Sequence, residues 1–339
     1  MKVVGFVLTL VLSLIAPDAL GQARAREARR IAQATQVCDS DAPPRCLAAL
    51  QRLPARLRQT SALRVRGFHA QFFSLDVPLE PRGARALRPL QRTALDDVYR
   101  QLVTFTDAPP SDLASDSHAS LWLLRGRCEL VLDRLEDAIR SLTRATTLNS
   151  SPESLNDLAM TYVAAGRLAE AEHTLLRATQ SAPNEATPWS NLGTVRLALG
   201  RANDAADAFR EATSRAPNVS QHHSNLGAAL LSAGQAELAV RAFGEAIRYA
   251  PADPLPRANL GYALITAGHL DDAERELIQA TTIGPRCGAA WNNLSIVHAR
   301  RGRRADAIRA LEHALEIDPG DQRARANLEG LRASPSPSP

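Results

Sequence analysis

The stretch "ATPWSNLGTVRLALGRANDAADAFREATSRAPNV", residues 186–219, decides how this chain folds. Its Asn191, Leu192 and Gly193 return as Asn225, Leu226 and Gly227, and again as Asn259, Leu260 and Gly261. Asn293 with Leu294 and Asn327 with Leu328 continue the series, always at an interval of 34 residues. A fixed period of that length marks an array of helix-turn-helix units, none of which can bury its apolar face alone. Within one unit, Trp189, Leu192, Gly193 and Leu199 outline a first helix, and Gly200 ends it in the left-handed conformation. Ala205, Phe209 and Ala212 follow at the i, i+4, i+7 spacing of one buried helical stripe. Pro217 then blocks continuation. The small residues predict close helix pairs, with Gly193 facing Ala205 across the pair and Ala212 facing the next unit.

The same register runs through Gly227, Gly234, Ala239, Phe243, Ala246 and Pro251, and through its counterparts in the units before and after. This succession of Trp, Leu-Gly, Ala, Phe, Ala and Pro resembles the tetratricopeptide repeat (TPR) family. The resemblance implies an all-α fold, a right-handed superhelical α-solenoid of about six repeats. Their expected bounds are residues 119–151, 152–185, 186–219, 220–253, 254–287 and 288–321. Residues 322–332 read as a polar capping helix and residues 333–339, "ASPSPSP", as a disordered tail. The family's usual Tyr is kept only at Tyr162; Arg196, Leu230, Leu264 and His298 stand at the other positions.

Composition agrees with helices. The chain of 339 residues is 45% hydrophobic but only 4% aromatic, so its core consists of Ala, Leu and Val, which disfavours a β-sandwich. Lys2 is the only lysine, and an Arg-dominated basic set looks like GC-rich bacterial coding. Beyond Lys2 no side chain is available for a Schiff base or a P-loop lysine. Lys2 is followed by an apolar run, residues 3–16, and then by Ala19 and Gly21. That is the layout of a signal peptide, residues 1–21, cut near Gly21, with a core too short for a membrane span. The expected location is periplasmic or secreted; an uncleaved signal anchor is the alternative.

Export gives the cysteines meaning. Cys38 and Cys46 enclose "DSDAPPR" and are read as a local structural disulfide. A zinc site using them with His69 is disfavoured by their spacing, so no metal is expected. Cys128 and Cys287 fall in different repeats and are expected to be unpaired. Residues 22–118 show no 34-residue beat; residues 46–58 and 90–104 have helical spacing, and degenerate helical hairpins are expected. This region holds 15 Arg against 10 acidic residues, scattered among Ala and Leu, so they read as solvated faces and no nucleic-acid partner is expected.

No catalytic motif stands out, whether G-x-S-x-G, H-E-x-x-H, a phosphate loop or Cys-x-x-Cys. The chain is therefore read as a non-enzyme without cofactor or small-molecule substrate. An enzymatic function in residues 22–118 is the rival reading. In the family, first helices line the groove where ligands lie. That assigns Asn191, Asn225, Asn259, Asn293 and Asn327, with Thr194 and Tyr262, to peptide or partner binding. Ser190, Ser224, Ala228, Ala258, Asn292 and Ile296 are their expected neighbours. The row resembles the Asn ladder of the O-linked N-acetylglucosamine transferase family, which holds a peptide backbone. It lacks the Lys, Arg and Asn set of chaperone-tail clamps. An amide both donates and accepts, so it suits a peptide unit. The other reading is that each Asn bonds the backbone of the adjacent repeat. The functional expectation is a protein-interaction scaffold or assembly factor of a bacterial cell envelope, touching membrane only if the signal stays uncut.

Overall fold

The computed structural model describes residues 61–75 and 89–333 except 112, together with residues 30, 32, 33, 48, 50 and 51. The expected signal segment, the Cys38–Cys46 disulfide and the 334–339 part of the tail lie outside the described residues. The described residues form helices and no strands. The chain divides into two compact units, Met1–Arg167 and Leu168–Pro339.

The first unit contains α1 (Ser61–Ser74), α2 (Pro89–Asp107), α3 (Ser115–Val131), α4 (Leu135–Leu148) and α5 (Pro152–Ala164). Phe68, Phe72, Leu95, Leu102, Phe105, Leu121 and Leu124 make one buried core, so α1 and α2 pack directly on the first helix of the first expected repeat, residues 119–151. Phe68 and Phe105 meet edge to face at 5.6 Å. That repeat, expected to start near Ala119, begins its helix at Ser115. Its turn uses Asp133 at φ 62°, where the later repeats place glycine. A short polar side chain is the usual substitute for glycine in left-handed backbone. Ser151 caps α5 by accepting the Ser154 backbone N–H at 3.2 Å, with Pro152 in the first turn.

The second unit runs α6 (Leu168–Ser181), α7 (Ala186–Ala198), α8 (Ala202–Arg215), α9 (Ser220–Ser232) and α10 (Ala236–Tyr249). It continues with α11 (Pro254–Ala267), α12 (Leu270–Ile283), α13 (Gly288–Arg300), α14 (Arg304–Ile317) and α15 (Gln322–Ala333). Each helix packs on the next in sequence, as a solenoid requires. Gly268 closes α11 at φ 90°, and His269 donates its backbone N–H to Leu264 O at 2.9 Å. Asp253 caps the start of α11 and Asp321 the start of α15.

The helix-pair seam differs from expectation in one respect. Gly193 lies against Phe209, not Ala205: a Cβ on it would come within 2.8 Å of the Phe209 ring. Gly227 meets Phe243 in the same way and Gly261 meets Leu277. The large second-helix side chain thus fills the notch that glycine leaves, and Ala205 is buried one turn earlier. Ala280, equivalent to Ala212, clusters with Ala258 and Cys287 of its own repeat and with Ala290 of the next. Cys128 and Cys287 are both free thiols and buried. Burial pushes both thiols up from the usual range.

Candidate peptide-binding face

In the second unit, the first helices of successive repeats pack on one another: α7 on α9, α9 on α11, and α11 on α13. Second helices make no comparable contact with the second helices that follow. The array therefore bends with its first helices on the inside. The side chains they leave uncovered form the candidate face.

Three positions per repeat recur there. Thr194, Ala228 and Tyr262 are exposed, Tyr262 to 46%, and Ile296 is half-buried. One turn before the Asn row stand Thr187, Gln221, Leu255 and Ala289, all exposed, Leu255 to 53%. This second set was missed in the sequence, which pointed instead to the residues just before each Asn. Ser190 and Ala258 are in fact buried. The helical angle explains the difference: position i−4 lies about 40° from the Asn around the helix, whereas i−1 lies about 100° away and turns into the packed interior.

The Asn row itself divides. Asn259 is exposed, and Asn191 and Asn225 are half-buried. Asn225 accepts a hydrogen bond from the Gln221 amide at 2.7 Å, which ties together two members of the face. Asn293 donates its amide to Ala258 O of the preceding repeat at 3.0 Å. Asn327 donates to the Asn292 side chain at 3.0 Å. The last two therefore staple repeats together, and Asn225 and Asn259 carry the open part of the row. Thr194 donates back to Ser190 O on its own helix.

The electrostatics of the two sides contrast. On α7, α9, α11 and α13 the only exposed charged residue is Arg300. The other two arginines of these helices turn outward into ion pairs. Arg196 donates to Glu172 at 3.0 Å and Arg257 to Glu276 at 2.8 Å. Exposed charge lies instead on the second helices, as in Asp207, Arg210, Glu245, Arg248, Asp271 and Arg275.

A half-buried carboxylate clasps arginines of the next repeat at two junctions. Glu172 holds Arg196 and also Arg201, the latter at 2.7 Å. Three repeats on, the equivalent Glu274 holds Arg301 at 2.7 Å and Arg303 at 2.6 Å, with His298 at 3.7 Å. Burial, then the Arg303 charge, lowers the His298 pKa from its usual range.

In the first unit, Arg127 is buried and bridges Asp157 and Glu153 at 2.6 Å each. Beside it, burial and the Arg127 charge push His69 down to about 4. Glu129 is fully buried and takes hydrogen bonds from Arg125 at 3.0 Å and Tyr99 at 3.3 Å. These carboxylates are bonded within the fold. Among the described residues, no group of three or more His, Cys, Asp or Glu is placed to hold a metal ion. Nor is any described helix long and apolar enough to cross a membrane.

A tetratricopeptide repeat family model matches residues 156–220, 190–254, 224–280 and 258–322. No curated protein matches the chain in sequence. Among solved structures, a tetratricopeptide repeat protein from Parabacteroides merdae aligns at TM-score 0.53 with 13% identity, over 72% of this chain and 94% of its own. The Cut9–Hcn1 hetero-tetramer of the APC/C aligns at TM-score 0.50 with 16% identity, over 88% of this chain and 64% of that one. YrrB, a TPR protein with an unusual peptide-binding site, shares 22% identity over 56% of this chain and 99% of its own, at TM-score 0.46. Such likeness concerns the fold. With the 34-residue register, the glycine seam and consecutive helix packing in place, the array of residues 156–322 belongs to the tetratricopeptide repeat family.

Proposed function

We propose that this chain is an exported scaffold or assembly factor of a bacterial cell envelope, and that its first-helix face binds an extended peptide of a partner protein. Repeats of this family mediate protein–protein interaction. The observation that carries the finer reading is the open row on the inner side. Asn225 and Asn259 stand there between exposed Gln221 and Leu255 on one flank and Ala228 and Tyr262 on the other. Amides along such a row pair with backbone groups of an extended chain, each bond contributing about 0.5–1.5 kcal/mol. Several together hold a segment with little regard for its sequence. The envelope location rests on the basic start, the apolar run of residues 3–16 and the small residues at 19 and 21.

A photo-crosslinking residue placed at Tyr262 is compared with one at Arg275 on an outer helix, in cells expressing the full chain. Adducts at position 262 and none at 275 support the face. Equal labelling at both refutes it. N-terminal sequencing of the same protein, reading from residue 22 or nearby, supports export with cleavage; an intact Met1 refutes the cleavage.

A further inference from the structure

We infer that the first-helix face selects extended peptide segments whose side chains are uncharged, with one apolar side chain seated between Leu255 and Tyr262. This deepens the peptide-binding reading and rests on it. The charge distribution is the argument. Across α7, α9, α11 and α13 the exposed positions are Thr, Ala, Gln, Ser, Asn, Leu and Tyr, with Arg300 at the last helix end as the single charge. Arg196 and Arg257, the other two arginines of these helices, are drawn off the face by Glu172 and Glu276. The neighbouring second helices carry exposed acids and bases throughout, so the neutrality sets this face apart from them. An Asp, Glu, Lys or Arg on an incoming segment finds no opposite charge along α7 to α11 and loses water on docking, which is unfavourable. A neutral hydroxyl or amide exchanges water for Asn, Gln, Thr and Ser partners at little net cost. Leu255 and Tyr262 are the largest apolar side chains exposed on these helices, two turns apart on α11. They flank exposed Asn259, so an apolar residue seated there would leave its backbone beside that amide. From α7 to α13 the row spans roughly 30 Å at about 10 Å per helix. That is about nine residues of extended chain.

The test uses the full chain and synthetic peptides of about nine residues. They are acetylated and amidated, and built from Ser and Ala around a central Leu. Two counterparts carry Glu or Arg at the Ser positions. Isothermal titration is run at low and high salt, with Tyr262→Arg and Ala228→Arg variants, both at exposed positions that leave the packing alone. The expected result is that the neutral peptide binds at least about tenfold more tightly than either charged one. Its affinity should change less than about twofold with salt, and Tyr262→Arg should weaken it. Ala228→Arg should raise the affinity of the Glu peptide. If a charged peptide binds as tightly while Tyr262→Arg still weakens binding, the selectivity is wrong and the peptide face stands. If no peptide binds, or Tyr262→Arg changes nothing, both readings fail.

Discussion

Replacing Gly193 by Ser tests the seam against bare helix propensity, because the two give opposite signs. Propensity alone favours Ser over Gly by a few tenths of a kcal/mol at a mid-helix position. The structure predicts the reverse. A Cβ at residue 193 stands 2.8 Å from the Phe209 ring, against an ordinary carbon contact of about 3.5–4.0 Å. Phe209 is 1% exposed and packs within the core of the array. Overpacking of this kind costs about 1–3 kcal/mol. Phe209→Leu alone leaves a void and costs about 1 kcal/mol. The double variant, Gly193→Ser with Phe209→Leu, reproduces the pair Ser295 and Leu311 that occupies the same register positions later in this unit, both buried. It should therefore be less destabilised than the sum of the single changes, by a coupling of about 1–2 kcal/mol. Denaturant midpoints of the full chain measure the cycle. Repeat arrays unfold in more than one step, so amide exchange in α7 and α8 is followed alongside. A stable Gly193→Ser variant, or a double variant no better than the sum, would refute the seam.

Three further outcomes are expected. Glu274→Val removes the carboxylate that Arg301 and Arg303 share, Arg301 keeping Asp271, and should cost about 1 kcal/mol; adding His298→Leu recreates the Val240 and Leu264 pair and should recover part of that loss, as read by denaturation. Asp133→Gly relieves left-handed backbone at φ 62° and should stabilise the first unit by about 0.5 kcal/mol, measured by exchange in α3 and α4. His69 has a folded pKa of about 4, below its ordinary 6.5, so between these values the unfolded chain binds the extra proton. Stability is then complete above pH 6.5 and falls as pH drops toward 4; His69→Gln should flatten that slope, and an unchanged slope would show that His69 is not its source.

The sequence made the solenoid legible because glycine, alanine and proline each mark a geometric event, and they recur at one interval. Leu90 to Thr104 read correctly as helical, and α2 extends it only from Pro89 to Asp107. What periodicity could not show was the offset between two antiparallel helices. Gly193 needs a partner in the second helix, but whether Ala205 or Phe209 fills the notch depends on how far the hairpin has slid. The Asn row met the same limit. Its common face follows from the period, yet the amide of Asn293 reaches Ala258 O while Asn259 stays exposed. Their sequence contexts, NNLS and ANLG, carry no sign of that difference.

The positions where the family keeps Tyr show how contact explains what the pattern alone left as scatter. Each of these residues pairs, or shares a core, with a second-helix position of the preceding repeat, and the two match in polarity. Arg196 and His298 are polar, and opposite them stand Glu172 and Glu274. Leu230 and Leu264 are apolar; the corresponding residues are Ala206 and Val240, which share their hydrophobic core. Tyr162 packs in the cluster that holds Ile139. A carboxylate facing Leu264 would be buried without a partner, and a valine facing His298 would take the carboxylate from Arg303 while Arg301 kept Asp271; either mismatch costs about 1–3 kcal/mol. Loss of the family's Tyr is thus absorbed at the repeat junction by a paired change about 24 residues earlier, one helix and its two flanking turns away. The consequence reaches the binding face. Because Arg196 is drawn to Glu172, its charge is held at the junction, and the inner row stays neutral even where the chain has replaced Tyr by Arg.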